Sequence, residues 1–328
     1  MRLNEQLKYR QVATVTLIIM VSLILAACGT TQPTSYSIGY LQMFETKFLD
    51  GLKEGMLELG YEEGENVTYF VEELPSFDAL DQTVQNLVNV NVDVMFSHTT
   101  ESAQAIHRAT AGTNMPAVIV LLSDPVENGL VQSTVHPGGN VTGVEVSGVQ
   151  LRQWEWLFKV APNLERVYFP YNPDVTLGAD DLAAARHAAS RLGFELVARE
   201  VRSEQEAMAA AENIPANVDA IFLGSGPLVN QIQEQWNEAA LAHKLPLTGA
   251  SIQIEQGTLF NFSYSQFEMG KQAAQLVDQI LKGADPADLP LEQAEYFLTL
   301  NLQAAEAIGL DISDEVLDDA RTIIGESN

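Results

Sequence analysis

Apolar residues fall along this chain in two alternating rhythms. Ser37 to Leu41, Val67 to Val71, Val92 to Ser97 and Ala117 to Leu122 are short apolar runs, the last two nearly unbroken. Unbroken runs of that length are expected of parallel strands buried on both faces. Between them Phe48, Leu49, Leu52, Met56 and Leu59 recur at helical spacing, as do Leu80, Val84, Leu87 and Val88. Strands alternating with amphipathic helices predict a parallel sheet covered by helices on both sides.

The same order then returns. Glu165 to Pro170 reads as a strand, Leu177 to Leu192 as a helix, and Phe194 to Val201, Val218 to Leu223 and Leu245 to Thr248 as further strands. Local echoes accompany the repeat. Glu58-Leu59-Gly60-Tyr61 matches Arg191-Leu192-Gly193-Phe194, Asn91-Val92-Asp93 matches Asn217-Val218-Asp219, and Met115-Pro116 matches Leu245-Pro246, all roughly 130 residues apart. The pattern predicts two similar doubly wound α/β lobes with a cleft between them. In such sheets a ligand sits beyond the carboxyl ends of the strands, where helix N-termini offer free N–H groups. The loops expected there are Gln42 to Thr46, Ser97 to Glu101, Ser123 to Val126, Tyr171 to Thr176, Gly224 to Leu228 and Gly249 to Gln253. Their hydroxyl, amide, aromatic and glycine content suits hydrogen bonding and stacking better than acid–base chemistry.

The N-terminus changes the picture of where this clamp works. Basic Arg2, Lys8 and Arg10 precede an apolar run from Val12 to Leu25, which ends in Leu25-Ala26-Ala27-Cys28. The run is roughly 14 residues, short for a membrane span of about 20, and has the layout of a secretory signal. Leu-Ala-Ala-Cys resembles the lipobox of bacterial lipoproteins, in which the cysteine is acylated and becomes the first residue. Residues 1–27 are therefore expected to be a signal peptide and 28–35 a lipidated tether, placing the protein on the extracytoplasmic side of a cell membrane. Cys28 is the only cysteine, so no intramolecular disulfide or cysteine-based metal site is expected. The formal net charge of −27 gives an acidic surface that repels nucleic acid and anionic lipid.

Pro116-Ala-Val-Ile-Val-Leu-Leu-Ser-Asp124-Pro125-Val with Gly129-Leu-Val, followed by His136-Pro137-Gly138-Gly139-Asn140-Val-Thr142-Gly143, resembles the ABC transporter substrate-binding family that includes tryptophan- and tyrosine-binding lipoproteins. Further matches lie at Leu59-Gly60-Tyr61, Tyr171-Asn172-Pro173, Ile280-Leu281-Lys282-Gly283 and Ala307-Ile308-Gly309-Leu310. The resemblance implies a type I periplasmic-binding-protein fold and a small organic solute, aromatic or amino-acid-like, held by hinge closure. ABC permease subunits are the implied membrane partners, with no cofactor and no nucleic acid. Chain crossings are implied at Val141 to Ser147, Gly257 to Phe262 and near Glu295 to Leu300. Residues 36–145 with about 263–294 would form lobe one, and 146–262 with about 295–328 lobe two. Many members carry an acidic residue where Gly224-Ser225-Gly226 stands here. Without one, a buried ligand ammonium group lacks its partner, and a free amino acid is expected to bind poorly unless Asp124 or Glu145 supplies the charge.

The expected contacts follow from these positions. Ser97, His98, Thr99 and Thr100 lead into a helix and offer N–H and hydroxyl donors to a carboxylate or similar acceptor, or simply cap that helix. Ser123 and Asp124 close the next strand. Tyr171 and Asn172 end a lobe-two strand, with Ser225 and Ser251 on neighbouring loops, while Gln42 and Phe44 open the first. Phe262 and Tyr264 flank the second crossing and are placed to close on an apolar body.

No GxSxG, HExxH or GxGxxG pattern occurs, and His98, His107, His136, His187 and His243 show no metal-ligand spacing. The remaining alternatives are a ligand sensor for a signalling partner, which uses the same clamp, and an exported hydrolase. Neither a metal nor a catalytic residue is expected. Cys28→Ser is expected to abolish fatty-acyl labelling and leave unprocessed precursor or released protein, because acylation needs the thiol. Metabolic labelling with a fatty-acid analogue and fractionation check this, and unchanged labelling refutes the lipobox.

Overall fold

The computed structural model describes residues 35–43, 45–74, 76–110, 112–113, 115–250, 254 and 257–325. Cys28 lies outside them. The first half contains β1 (Tyr36–Gln42), α1 (Phe48–Glu58), β2 (Val67–Glu73), α2 (Leu80–Val90), β3 (Val94–His98), α3 (Thr100–Ala109), β4 (Ala117–Leu122) and β5 (Val141–Glu145). It is followed by α4 (Val149–Val160), β6 (Arg166–Tyr171), α5 (Thr176–Leu192), β7 (Glu195–Glu200), α6 (Glu204–Glu212), β8 (Ala220–Leu223), α7 (Pro227–Asn230), α8 (Gln233–His243) and β9 (Leu247–Gly249). The chain ends with β10 (Phe260–Tyr264), α9 (Gln266–Leu281), β11 (Glu292–Gln293), β12 (Tyr296–Asn301), α10 (Leu302–Ile308), α11 (Asp314–Asp319) and β13 (Ala320–Ile324).

The strands form a six-stranded parallel sheet in the order β11-β5-β4-β3-β1-β2 and a four-stranded parallel sheet in the order β7-β6-β8-β9. Each is filled on both faces by alternation, which slips by one residue at Leu121 (φ 59°) in β4. Ile38, Tyr40, Val94, Phe96, Val118 and Val120 face one side of the first sheet, while Leu41, Met95, Ala117, Ile119 and Leu122 face the other. In the second sheet Val167, Phe169, Ala220 and Phe222 oppose Tyr168, Ile221, Leu223 and Leu247. Period-two burial on both faces is what makes such strands read as unbroken apolar runs.

The repeated Val-Asp pair does the same work twice. Asp93 Oδ2 accepts the Ser37 N–H at 2.7 Å and the Ser37 hydroxyl at 2.6 Å, pinning the start of β1. Asp219 Oδ2 accepts the Glu165 and Arg166 N–H groups at 2.9 and 2.8 Å, pinning the start of β6. One carboxylate thus satisfies backbone donors that open an interior strand of each sheet.

The His-Pro-Gly-Gly-Asn-Val-Thr-Gly stretch has a structural role. Asn140 Nδ2 donates to Thr110 Oγ1 at 2.7 Å and to the Met115 carbonyl at 2.8 Å. Thr142 Oγ1 donates to the Leu289 carbonyl at 2.9 Å. Gly143, at φ 155°, lies where a Cβ would be 1.8 Å from the Ile119 carbonyl oxygen, beside an irregularity in the β4–β5 register. No larger residue fits there without displacing β4.

A third sheet, β10-β12-β13, was not expected from the sequence. β10 and β12 pair antiparallel from Phe260↔Leu300 to Tyr264↔Tyr296, and β13 joins β12 in parallel. After β10 the chain returns to the first sheet as α9, which packs against α1 and adds Met269, Ala273, Ala274, Leu276, Val277 and Ile280 to its core. The helices meet backbone to backbone: a Cβ on Gly51 would lie 1.9 Å from the Phe267 carbonyl oxygen, and one on Gly270 2.1 Å from that of Phe48. Helix propensity alone makes Gly51→Ala stabilising by about 1 kcal/mol. The close approach reverses the sign, and a loss of about 1–3 kcal/mol is expected. Urea denaturation checks this against Gly139→Ala, where nothing lies within 4 Å of the added methyl and stability should hold.

Candidate functional site

Because every strand pair in the two larger sheets is parallel, the ends of β1, β3, β4 and β5 lie along one edge of the first sheet, and those of β6, β8 and β9 along one edge of the second. The residues selected from sequence sit at these ends, but they differ in what their side chains do. Ser97 and His98 are wholly buried. Ser97 Oγ donates to the Leu41 carbonyl at 3.1 Å. The His98 ring lies 5.3 Å from Phe48 and places Nδ1 3.3 Å from the Tyr40 hydroxyl, and burial lowers its pKa to about 4. His98 is therefore neutral at physiological pH.

The chain leaves the core at Thr99. That residue has φ 79° and ψ 153°, a region normally reserved for glycine, and caps α3 by accepting the Ser102 N–H. Its hydroxyl donates to Met43 Sδ at 3.2 Å. Thr100 Oγ1 accepts the Ser123 N–H at 3.4 Å, joining the ends of β3 and β4. Asp124 is exposed and also left-handed, at φ 45°. Asn128 Nδ2 donates to the Ser123 and Asp124 carbonyls at 2.9 and 3.2 Å and holds that turn. Such backbone conformations each cost about 1–3 kcal/mol and persist where the surroundings over-determine them, commonly at binding sites. Gln42 ends β1 half-buried, and its carbonyl accepts the Leu74 N–H. Phe44 and Ser251 lie outside the described residues.

On the second sheet, Tyr171 is buried and its ring stacks on Phe169 at 5.7 Å, with its hydroxyl donating to Glu200 Oε1 at 3.2 Å. Asn172 Oδ1 accepts the Asp174 N–H at 3.0 Å, shaping the turn into α5. Ser225 is buried in the loop after β8, and its N–H donates a short bond to Asp181 Oδ2 on α5. Asp181 was not singled out from the sequence. The available signal was helical phase: Asp181 shares a face with Ala185 and Ala188, both wholly buried.

The remaining residues gather where the chain passes between the sheets. Tyr296 packs against the cores of both. Its hydroxyl donates to the Val146 carbonyl at 3.0 Å, its ring stacks on Phe262 at 5.5 Å and meets Tyr264 edge-on at 6.2 Å, and the Arg152 guanidinium sits 4.4 Å above it. Gln153 Nε2 donates to the carbonyls of Ala250 and Phe262 at 3.1 and 3.0 Å. Glu145 Oε2 accepts the Ser147 hydroxyl at 3.0 Å, and its carbonyl accepts Gln293 Nε2 at 3.1 Å. Tyr296, Arg152 and Gln153 carry no motif, and only their partners reveal them. Trp154 is a core residue, stacked on Phe222 at 3.9 Å, whereas Trp156 is half-buried beside Phe262 at 5.7 Å. Among the described residues no cluster of His, Cys, Asp and Glu is placed to hold a metal ion, and no helix is long and apolar enough to cross a membrane.

Several known proteins are similar to this chain. A tyrosine-binding protein of Clostridioides difficile is 23% identical over 261 residues, covering 78% of this chain and 75% of that protein. The open, ligand-free structure of a Clostridium difficile substrate-binding protein with adhesive properties superposes with a TM-score of 0.77 at 22% identity, covering 89% of this chain and 100% of the other. A Streptococcus pneumonia domain in complex with L-Trp does so with a TM-score of 0.69 at 24% identity, again over 89% of this chain and 100% of that one. The fold is that of type I periplasmic binding proteins. The profile of one family, described as ABC transporter substrate binding protein, matches residues 44–324. With its parallel sheets, polar strand ends and aromatic crossing, the chain belongs to the ABC transporter substrate-binding protein family, which binds solutes and is not a family of enzymes.

Proposed function

We propose that this protein is a lipid-anchored, extracytoplasmic receptor of an ABC-type importer that holds an amino-acid-like solute with an aromatic or apolar body between its two lobes. The observation that carries the reading is the aromatic crossing, Phe262, Tyr264 and Tyr296, set beside strand ends rich in N–H and hydroxyl donors. A ring or aliphatic body has a stacking surface there, and a carboxylate has donors in the hydroxyls of Thr100 and Ser123. Tyrosine and L-Trp, the ligands of two similar proteins, combine these groups. On this reading residues 36–145 with 263–294 form one lobe and 146–262 with 295–328 the other, consistent with α9 packing on α1 and β12 packing in the second core. Anchoring rests on Cys28 and its lipobox.

Domain closure around the solute follows from lobes joined by a few chain crossings. Small-angle scattering on the exported part of the chain is expected to show a smaller radius of gyration with saturating tryptophan, tyrosine or phenylalanine, and calorimetry one bound molecule per chain. Saturation without compaction overturns the clamp. Failure of every aromatic and aliphatic amino acid and its deaminated analogue to bind overturns the solute class.

A further inference from the structure

Asp181 is a carboxylate in an unusual position. It lies on the second turn of α5, is 6% exposed, and shares its face with wholly buried alanines. Its hydrogen-bond partners are the N–H and hydroxyl of Ser225. Arg202, on the loop that follows the neighbouring strand β7, pairs with Asp174 and Glu200. No ion pair reaches Asp181 among the described residues. Burial raises its pKa, opposed by the Ser225 bonds and reinforced by the charge of Asp180. A buried carboxylate held by one serine and no cation is an uncompensated charge, which proteins otherwise avoid.

Its location indicates what compensates it. α5 begins just after the end of β6, and Ser225 lies just after the end of β8, neighbouring strands of the same sheet. Asp181 and Ser225 are therefore at the carboxyl edge of the second sheet, where this class of fold receives its ligand. Glu145 is half-buried and already accepts the Ser147 hydroxyl, and Asp124 is exposed. Water screens both more than it screens Asp181.

We infer that Asp181, presented by Ser225, is the counter-charge for a cationic nitrogen on the solute, and so selects a primary ammonium compound over its deaminated analogue. The loop Gly224-Ser225-Gly226 has no acidic residue of its own, and the helix beneath it supplies one. This inference rests on the amino-acid-like solute proposed above, and assigns its ammonium group to the second lobe.

Calorimetry with tryptophan and tyrosine, and with indole-3-propionate and 3-(4-hydroxyphenyl)propionate, tests it on the unmodified chain, Asp181→Asn, Asp124→Asn and Glu145→Gln. Asparagine still accepts the Ser225 N–H, so the melting temperature should stay close to that of the parent. Asp181→Asn is expected to weaken amino-acid binding about tenfold or more while the deaminated acids bind as well as before or better. Asp124→Asn and Glu145→Gln should leave the preference intact. The unmodified chain supplies a second readout free of folding effects. The side-chain carboxyl 13C resonance of Asp181 should titrate at lower pH with the amino acid bound, and should not shift downward with the deaminated acid. An unchanged preference in Asp181→Asn, or an Asp181 titration unmoved by the amino acid, overturns the inference alone. If none of these solutes binds the unmodified chain, the solute class falls and the inference with it.

Discussion

The antiparallel pairing of β10 with β12 is the contact on which the relation between the two large sheets depends. Each parallel sheet is internally complete, with apolar residues on both faces, and neither has a reason of its own to stay near the other. The ladder from Phe260↔Leu300 to Tyr264↔Tyr296 joins two passages of the chain, and the Tyr296 hydroxyl brings in a third at Val146. Backbone hydrogen bonds fix where these strands meet. The stacked rings of Phe262 and Tyr296 and the Arg152 guanidinium above them are held by face contacts, which tolerate sliding better than a hydrogen-bonded ladder does. The combination keeps the junction in place.

Most of the sheet architecture was legible before any coordinates. β4 occupies the residues that the apolar run marks, Ala117–Leu122, and β3 and β8 begin two residues later than expected because Val92 and Val218 precede the aspartates that pin β1 and β6. The local echoes proved to be working parts, since Asp93 and Asp219 make equivalent bonds. The third sheet was not legible. Asn261-Phe262-Ser263-Tyr264 alternates too briefly to declare a strand, and its register partner lies far along the chain.

The strand ends were easier to find than to interpret. A serine or histidine at the end of a strand looks the same whether it faces a cleft or the core. Ser97 and His98 face the core because β3 is covered on both sides up to its last residue, and exposure begins at Thr99. Asp181 posed the opposite difficulty. In a chain with 44 acidic residues, one of two adjacent aspartates on a helix carries no visible distinction, and only the buried alanines on its face separate it from Asp180.

The glycine contact between α1 and α9 also governs the order in which the molecule can be assembled. α1 follows the first strand, whereas its packing partner begins at Gln266, beyond the whole of the second parallel sheet. A chain emerging from its N-terminus therefore presents β1 to β5 with one face covered only in part, by Phe48, Leu52 and Met56 of α1, since Met269, Ala273, Val277 and Ile280 have yet to arrive. Contacts this distant in sequence form late and fold slowly. The strands of the second sheet are all made by Gly249, while the first still waits for its lid, and the second core waits in turn for Leu298, Leu300 and Val316. That delay keeps the leading half of the chain loosely folded until most of the molecule has been made.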